Sequence, residues 1–221
     1  MNEKTAAERP RHRRGTLSRE RILDVASQQF RSKGYDRTSM DDVAKALSVT
    51  KPTLYYHFAS KEDILLGCVV EAGDRLNAAL AEHDDATLPG LTRLEIFLRQ
   101  YLRVIANNYG ISLVLSDANV MSEKGQIEYR NCRKSISRHM RQIVEQGMAD
   151  GSIVPGDVTL TTYAIFGMFN WVTRWIMDKP EFSLDAVYAQ FRSILLLGIR
   201  GAPPAAIPAD RPAHEGAQNP H

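Results

Sequence analysis

Only two cysteines, Cys68 and Cys132, occur in this 221-residue chain. They lie far apart, and neither belongs to a C-x-x-C pair or a metal-ligand spacing. Both read as small core residues, and the expected compartment is a reducing cytoplasm. Long apolar runs are missing as well. The stretches 65–70 and 194–197 are short and sit within amphipathic segments, so no membrane span is expected. The N-terminus carries charge without the apolar core of a secretory signal. There is no convincing period-two alternation to suggest strands, and no internal repeat. Paired carboxylates, a nucleophile beside a base, a metal cluster and a glycine-rich phosphate loop are all lacking. The sequence therefore calls for no enzyme, no metal and no cofactor.

What the chain does contain is helix-forming sequence. Its 43% apolar content is enough for a real core in one large or two small domains. Helical periodicity predicts helices over about 18–33, 39–47, 51–57, 60–83, 91–108, 111–121, 123–149, 158–178 and 184–200. The breaks fall at residues 84–90, at Asp150-Gly151, before Pro180 and at Gly201. The predicted class is all-α, with a three-helix N-terminal domain over 17–62 and a helical C-terminal domain over 63–200. Residues 1–16 read as a disordered basic arm. Residues 201–221, with five prolines, read as a disordered tail.

The most informative stretch is 50–61, Thr-Lys-Pro-Thr-Leu-Tyr-Tyr-His-Phe-Ala-Ser-Lys. Before it, Thr38 or Ser39 can cap a helix whose apolar positions are Met40, Val43, Ala44 and Leu47, with an acid completing a capping-box pattern. Leu47-Ser48-Val49 makes the turn, and Val49 is apolar enough to plug between the helices. Thr50 is a suitable N-cap for the next helix, and Pro52 falls in its first turn, where a missing N–H is tolerated. Leu54 and Phe58 face the core. Lys51, Thr53, Tyr55, Tyr56 and His57 are left pointing mostly outward, as a helix presented to a DNA major groove requires. His57 has no Cys, His or Asp partner at metal-ligand spacing.

This pattern resembles the helix-turn-helix of the TetR family of transcriptional regulators over about residues 17–66, including Ile22-Leu23-Asp24-Val25-Ala26 and Lys33-Gly34-Tyr35 upstream. The family usually has Gly where Ser48 stands, Ser where Thr50 stands, and Gly or a small residue where Pro52 stands. All three changes are sterically mild. The resemblance implies that residues 50–57 enter the major groove. Lys51, Pro52 and Thr53 would then approach base edges, with Pro52 and the Thr53 methyl against thymine methyls, and Tyr55, Tyr56 and His57 would reach phosphates. Thr38 or Ser39, and Lys61, would bind flanking phosphates. Charge agrees: residues 1–61 hold 13 Lys and Arg against 7 acids, whereas 62–221 hold 15 against 19. Arg9, Arg11, His12, Arg13 and Arg14 form a basic arm, read either as solvated or as an added DNA contact.

The helix order also resembles the TetR architecture over about 17–200. That resemblance implies a ligand enclosed by the helices predicted over 60–178 and a dimeric four-helix bundle from the last two. A two-fold dimer would bind a palindromic operator. Gly167, Val187, Phe191, Ile194, Leu195 and Leu197 are the expected dimer contacts. In the helix predicted over 158–178, Trp171 and Trp175 lie four apart, as do Asn170 and Arg174. Such a helix is either simply buried or lines an apolar pocket of Phe97, Tyr101, Trp171 and Trp175, with Asn170 or Arg174 as the polar handle. Arg130, Lys134, Arg138 and Arg141 recur at helical steps, as a solvated face or as a phosphate-binding stripe. Acids near the pocket are few, Glu95 and Asp117 among them, so the expected effector is small, lipophilic, and anionic or neutral. An acyl-CoA fits, and the run 167–175 is similar to TetR-type regulators of fatty-acid and steroid catabolism. The chain thus reads as a repressor released by its effector. Two other readings remain, a ligand-independent DNA-binding protein of the same fold and a helical-bundle enzyme.

Overall fold

A computed structural model describes residues 17–107, 109–110 and 121–197. The basic arm, the helix predicted over 111–121 with Asp117, and the tail lie outside the described residues. Within them the structure is all-helical, with eight α-helices. They are α1 (Arg19–Lys33), α2 (Met40–Ala46), α3 (Lys51–His57), α4 (Lys61–His83), α5 (Gly90–Ile105), α6 (Glu123–Ala149), α7 (Val158–Trp171) and α8 (Leu184–Leu197). No helix among these residues is long and apolar enough to cross a membrane.

Local chemistry starts each N-terminal helix. The Ser18 hydroxyl accepts from the Arg21 N–H and starts α1. Ser39 and Asp42 form a reciprocal capping box on α2, and Ser39 holds the Asp42 carboxyl down at about 2. Thr50 accepts from the Thr53 N–H at the start of α3, with Pro52 in the first turn. Ile22, Leu23, Ala26, Val43, Ala44, Leu54 and Phe58 then meet in one buried cluster. The long helix α4 continues that cluster into the body, burying Leu65, Val69, Leu76 and Leu80. Cys68 is buried on it, and Cys132 is half-buried with its thiol toward the Val69 carbonyl.

The crossing of α5 and α6 is very close. A Cβ on Gly90 would overlap the Gly147 backbone, so only glycine allows the two helices to touch there. Pro89 offers no cap, and the free N–H groups of α5 are taken by the loop after α6 instead. Gly90 donates to Asp150 at 2.8 Å and Leu91 to the Ser152 hydroxyl at 3.0 Å. Beside them Arg93 forks onto both carboxylate oxygens of Asp84 at 2.7 Å and also donates to Gln146. Arg93 holds the Asp84 carboxyl below the usual carboxylate range. The end of α4, the start of α5 and the C-terminal half of α6 are thereby one rigid corner.

The helix predicted over 158–178 is shorter than expected. The α-helix stops at Trp171 and gives way to two 3-10 turns, Val172–Arg174 and Ile176–Asp178. Because 3-10 winding advances 120° per residue and not 100°, side chains four apart across this break no longer share a face.

One departure from the helix-turn-helix pattern is not mild. Ser48, at the turn between α2 and α3, has φ of 56° and is the one non-glycine with positive φ among the described residues. An L-residue pays a steric penalty there. Ser48→Gly is expected to raise the unfolding free energy in urea by about 0.5–1 kcal/mol, the relief being offset in part by the added freedom of the unfolded chain. A lower unfolding midpoint for the variant would show that the turn is not strained.

Candidate DNA-facing helix and effector cleft

The outer face of α3 is built as a presented surface. Leu54 and Phe58 anchor it, and between them Tyr55 is 45% and Tyr56 87% exposed. The Tyr56 and His57 rings meet edge to face at 5.3 Å. Lys51, Pro52 and Thr53 are exposed at its N-terminus. Lys51 is tied to Asp41 at 3.1 Å, a surface pair worth less than about 1 kcal/mol that is easily exchanged for another partner. The hydroxyls of Thr50 and Thr53 lie 2.8 Å apart.

Two residues expected at flanking phosphates are engaged within the chain. Thr38 is 1% exposed, and its hydroxyl donates to the carbonyls of Gly34 and Gln29 at 2.8 and 3.3 Å. It locks the α1–α2 turn, and Ser39 is the exposed residue of the pair. Lys61 is half-buried, donates to the Tyr35 carbonyl at 2.8 Å and lies 4.1 Å over the Tyr35 ring. Its charge is used to seat α4 on that turn.

In the body, a cleft of about 260 Å³ opens between α5, α6 and α7. Tyr101, Ile136, Tyr163 and Phe166 form its apolar side, Arg130, Arg133 and Lys134 its cationic side, with Ser137 and Asn170 between. Among the described residues no carboxylate lines it. Tyr101 is the buried floor, stacked on Phe97 at 5.8 Å and edge-on to Phe166 at 5.2 Å. Burial pushes its phenol well above the ordinary tyrosine value. The phenol donates to Asn170 Oδ1 at 2.6 Å.

The structure brings together only part of the expected pocket. Tyr101 and Asn170 line the cleft, and Phe97 backs its floor from the core. Trp171 is 65% exposed outside the cleft lining, Arg174 is exposed, and Trp175 packs edge-on against Phe182 at 6.3 Å. The helix break after Trp171 removes the shared face that their spacing implied. Of the basic stripe, Arg130 and Lys134 line the cleft, whereas Arg138 is exposed elsewhere and Arg141 donates to Thr159 at 3.1 Å. Arg133, Ile136, Ser137, Tyr163 and Phe166 were missed. The signal for Arg133 and Ser137 was available, since 130, 133, 134 and 137 make one helical face. Glu95 is paired with Arg192 at 2.8 Å, away from the cleft.

The expected dimer contacts divide in the same way. Val187 is buried within the chain, Phe191 meets Phe169 edge-on at 5.5 Å, and Leu195 packs on the core. Ile194 is exposed, and Gly167 has open space around it. The uncovered apolar face lies on α7 instead, where Leu160, Tyr163, Gly167 and Trp171 are exposed at helical spacing.

A further contact was not foreseen. The Glu62 carboxylate, in the first turn of α4, accepts the Ser122 N–H at 3.1 Å and its hydroxyl at 2.6 Å. Ser122 is itself the N-cap of α6, accepting from the Gly125 N–H at 3.2 Å. A Cβ on Gly125 would overlap that carboxylate. A second tie lies at Tyr109, which donates to the Glu20 carbonyl of α1 at 3.4 Å beneath Arg75. The start of α4 and helix α1 are thus tied to the α5–α6 connection at its two ends, the first by Glu62 and the second by Tyr109. The Glu62 pairing spans 60 residues, which no local pattern reveals.

Comparison with known proteins agrees with this architecture. Residues 22–68 match the family described as bacterial regulatory proteins, tetR family, and residues 87–199 match the tetracyclin repressor-like C-terminal domain. The chain is 24% identical over 184 residues to the fatty acid metabolism regulator protein of Bacillus subtilis, covering 80% of this chain and 93% of that one. It is 26% identical over 185 residues to the HTH-type transcriptional repressor KstR2 of Mycolicibacterium smegmatis, covering 82% and 90%. Among solved structures, the TetR family transcriptional regulator PfmR from Thermus thermophilus superposes with a TM-score of 0.73 at 29% identity, covering 82% of this chain and all of that one. AibR, solved with isovaleryl coenzyme A and operator DNA, shares the fold with a TM-score of 0.72 at 19% identity, covering 80% and 97%.

If α3 is the DNA-facing helix, Tyr56→Ala lowers operator affinity roughly tenfold through a lost contact. Its exposure means that the thermal midpoint stays where it was. Unchanged operator binding in a gel-shift titration would remove Tyr56 from the interface.

Proposed function

The chain belongs to the TetR family of transcriptional regulators, and on that premise we propose that it is a homodimeric repressor released from a palindromic operator by an acyl-CoA or a closely similar anionic amphiphile. The observation that carries this reading is the make-up of the cleft. Arg130, Arg133 and Lys134 stand on α6, aromatic walls on α5 and α7, and among the described residues no lining residue is acidic. Phosphate oxygens suit three cations on one helix face, and an acyl chain suits Tyr101, Ile136 and Phe166. Among the described residues a cationic ligand would meet no counter-charge there. The B. subtilis relative, a fatty acid metabolism regulator, and AibR with its isovaleryl coenzyme A support the same class of effector.

In this reading Lys51, Pro52, Thr53, Tyr55, Tyr56 and His57 face the operator, flanked by Thr50 and Ser39. Two copies pair through Leu160, Gly167 and Trp171 of α7 with Ile194 of α8, which sets the spacing of two α3 helices to successive major grooves. The effector draws the basic face of α6 into the cleft. Arg130 is eight residues from Ser122, about 12 Å along the helix, so movement of α6 reaches the Glu62–Ser122 contact directly. Its loosening lets α4 tilt and changes the separation of the α3 helices. The effector acts only to the extent that it prefers this second arrangement.

The test is fluorescence anisotropy on a labelled operator fragment selected from genomic DNA by its binding. Acyl-CoAs are expected to release the fragment, and a cationic dye is not. Arg133→Ala should raise the acyl-CoA concentration needed by roughly tenfold, on the order of 1.4 kcal/mol. Release by the dye alone, or acyl-CoA release that ignores Arg133, would contradict the assignment of the cleft.

A further inference from the structure

The floor of the cleft carries a hydrogen-bond arrangement that the cations do not account for. Tyr101 is 4% exposed among Phe97, Phe166 and the body of α5. Burial keeps its phenol protonated, so it serves as a donor at every working pH. Its partner at 2.6 Å is Asn170 Oδ1. With Oδ1 so engaged, the Asn170 amide is held in one orientation and its NH2 is directed away from Tyr101. Asn170 lines the cleft, and among the described residues no acceptor meets that NH2. The site thus has two kinds of donor at two positions. The charged ones stand on α6, and a neutral, oriented one stands on α7 beside the aromatic floor.

The Arg133 charge is felt at the Tyr101 phenol, so charge by itself does not keep an anion from this floor; what the amide adds is a neutral, oriented donor. A carbonyl oxygen needs only a donor there and matches a neutral N–H. An acyl thioester presents such an oxygen between an apolar chain and a phosphate-bearing moiety, and this cleft offers an aromatic floor, an amide and cations.

We propose that Asn170 donates to the acyl carbonyl oxygen of the effector, and that Tyr101 is the positioning residue that aims it. This rests on the acyl-CoA reading above and deepens it. The pair makes the protein a sensor of the acyl ester linkage, and not merely of a chain attached to coenzyme A. Sites that hydrogen-bond a ligand group discriminate against analogues lacking it, because the donor is then left unpaired.

The experiment uses the full chain and a matched pair of probes, hexanoyl-CoA and the thioether S-hexyl-CoA, which lacks only the carbonyl oxygen. Calorimetric titration of the wild-type protein should show the thioether binding roughly three- to tenfold more weakly. Asn170→Leu should bind the two alike, and Tyr101→Phe should keep only part of the preference. That ratio is a readout that a merely structural role for Tyr101 would leave unmoved. Tight and equal binding of both probes to the wild type would overturn the carbonyl assignment while leaving the acyl-CoA reading intact. Binding of neither would overturn that reading, and the assignment with it. An undiminished preference in Asn170→Leu would remove Asn170 from the site. Should either variant fail to fold, the wild-type comparison of the two probes still decides.

Discussion

The Glu62 carboxylate at the N-terminus of α6 is the contact on which the rest of the molecule's logic depends. Free N–H groups at the start of a helix need an acceptor, and a negative charge there is favoured by the helix dipole. In most helices that need is met within a few residues. Here Ser122 meets part of it and Glu62, from the first turn of α4, meets another part. An interaction on the order of 1 kcal/mol is a suitable size for a joint that must hold and also yield. Gly125 leaves the space in which the carboxylate sits. The other end of α6 is fixed through Gly147, Gln146 and the Asp84–Arg93 pair, so the helix has one rigid end and one exchangeable end.

Between those ends lies the cleft. Its cations, Arg130, Arg133 and Lys134, are all on α6, whereas its aromatic floor of Tyr101, Tyr163 and Phe166 belongs to α5 and α7. A ligand that carries both an anionic group and an apolar group therefore bridges α6 to α5 and α7 across the cleft. In our reading that bridging force is applied to the helix whose N-terminus holds the DNA-facing domain.

The legible parts of the sequence were those written in short-range chemistry. Ser18, Ser39, Thr50 and Ser60 cap the first four helices, and the helix limits follow from them within a residue or two. The exposed face of α3 followed from the positions of Leu54 and Phe58. The misreadings came where tertiary structure intervenes. Thr38 is polar and near a helix start, yet the α1–α2 turn buries it under two carbonyls. Trp171 and Trp175 keep a helical spacing that the backbone abandons between them. Val187 is buried in the chain's own core. Glu62 gave no local sign at all, because its partner is 60 residues away.

The central claim is that effector and operator oppose one another through a single conformational equilibrium. Binding free energies are reciprocal, so an effector that weakens operator binding must itself be weakened by operator to the same degree. The direct measurement is calorimetric titration of the releasing acyl-CoA into the free protein and into protein saturated with its operator fragment. The account predicts a loss of effector affinity on the operator complex equal to the loss of operator affinity caused by effector. Equal effector affinity in the two titrations would contradict it, since such a ligand shifts nothing however tightly it binds.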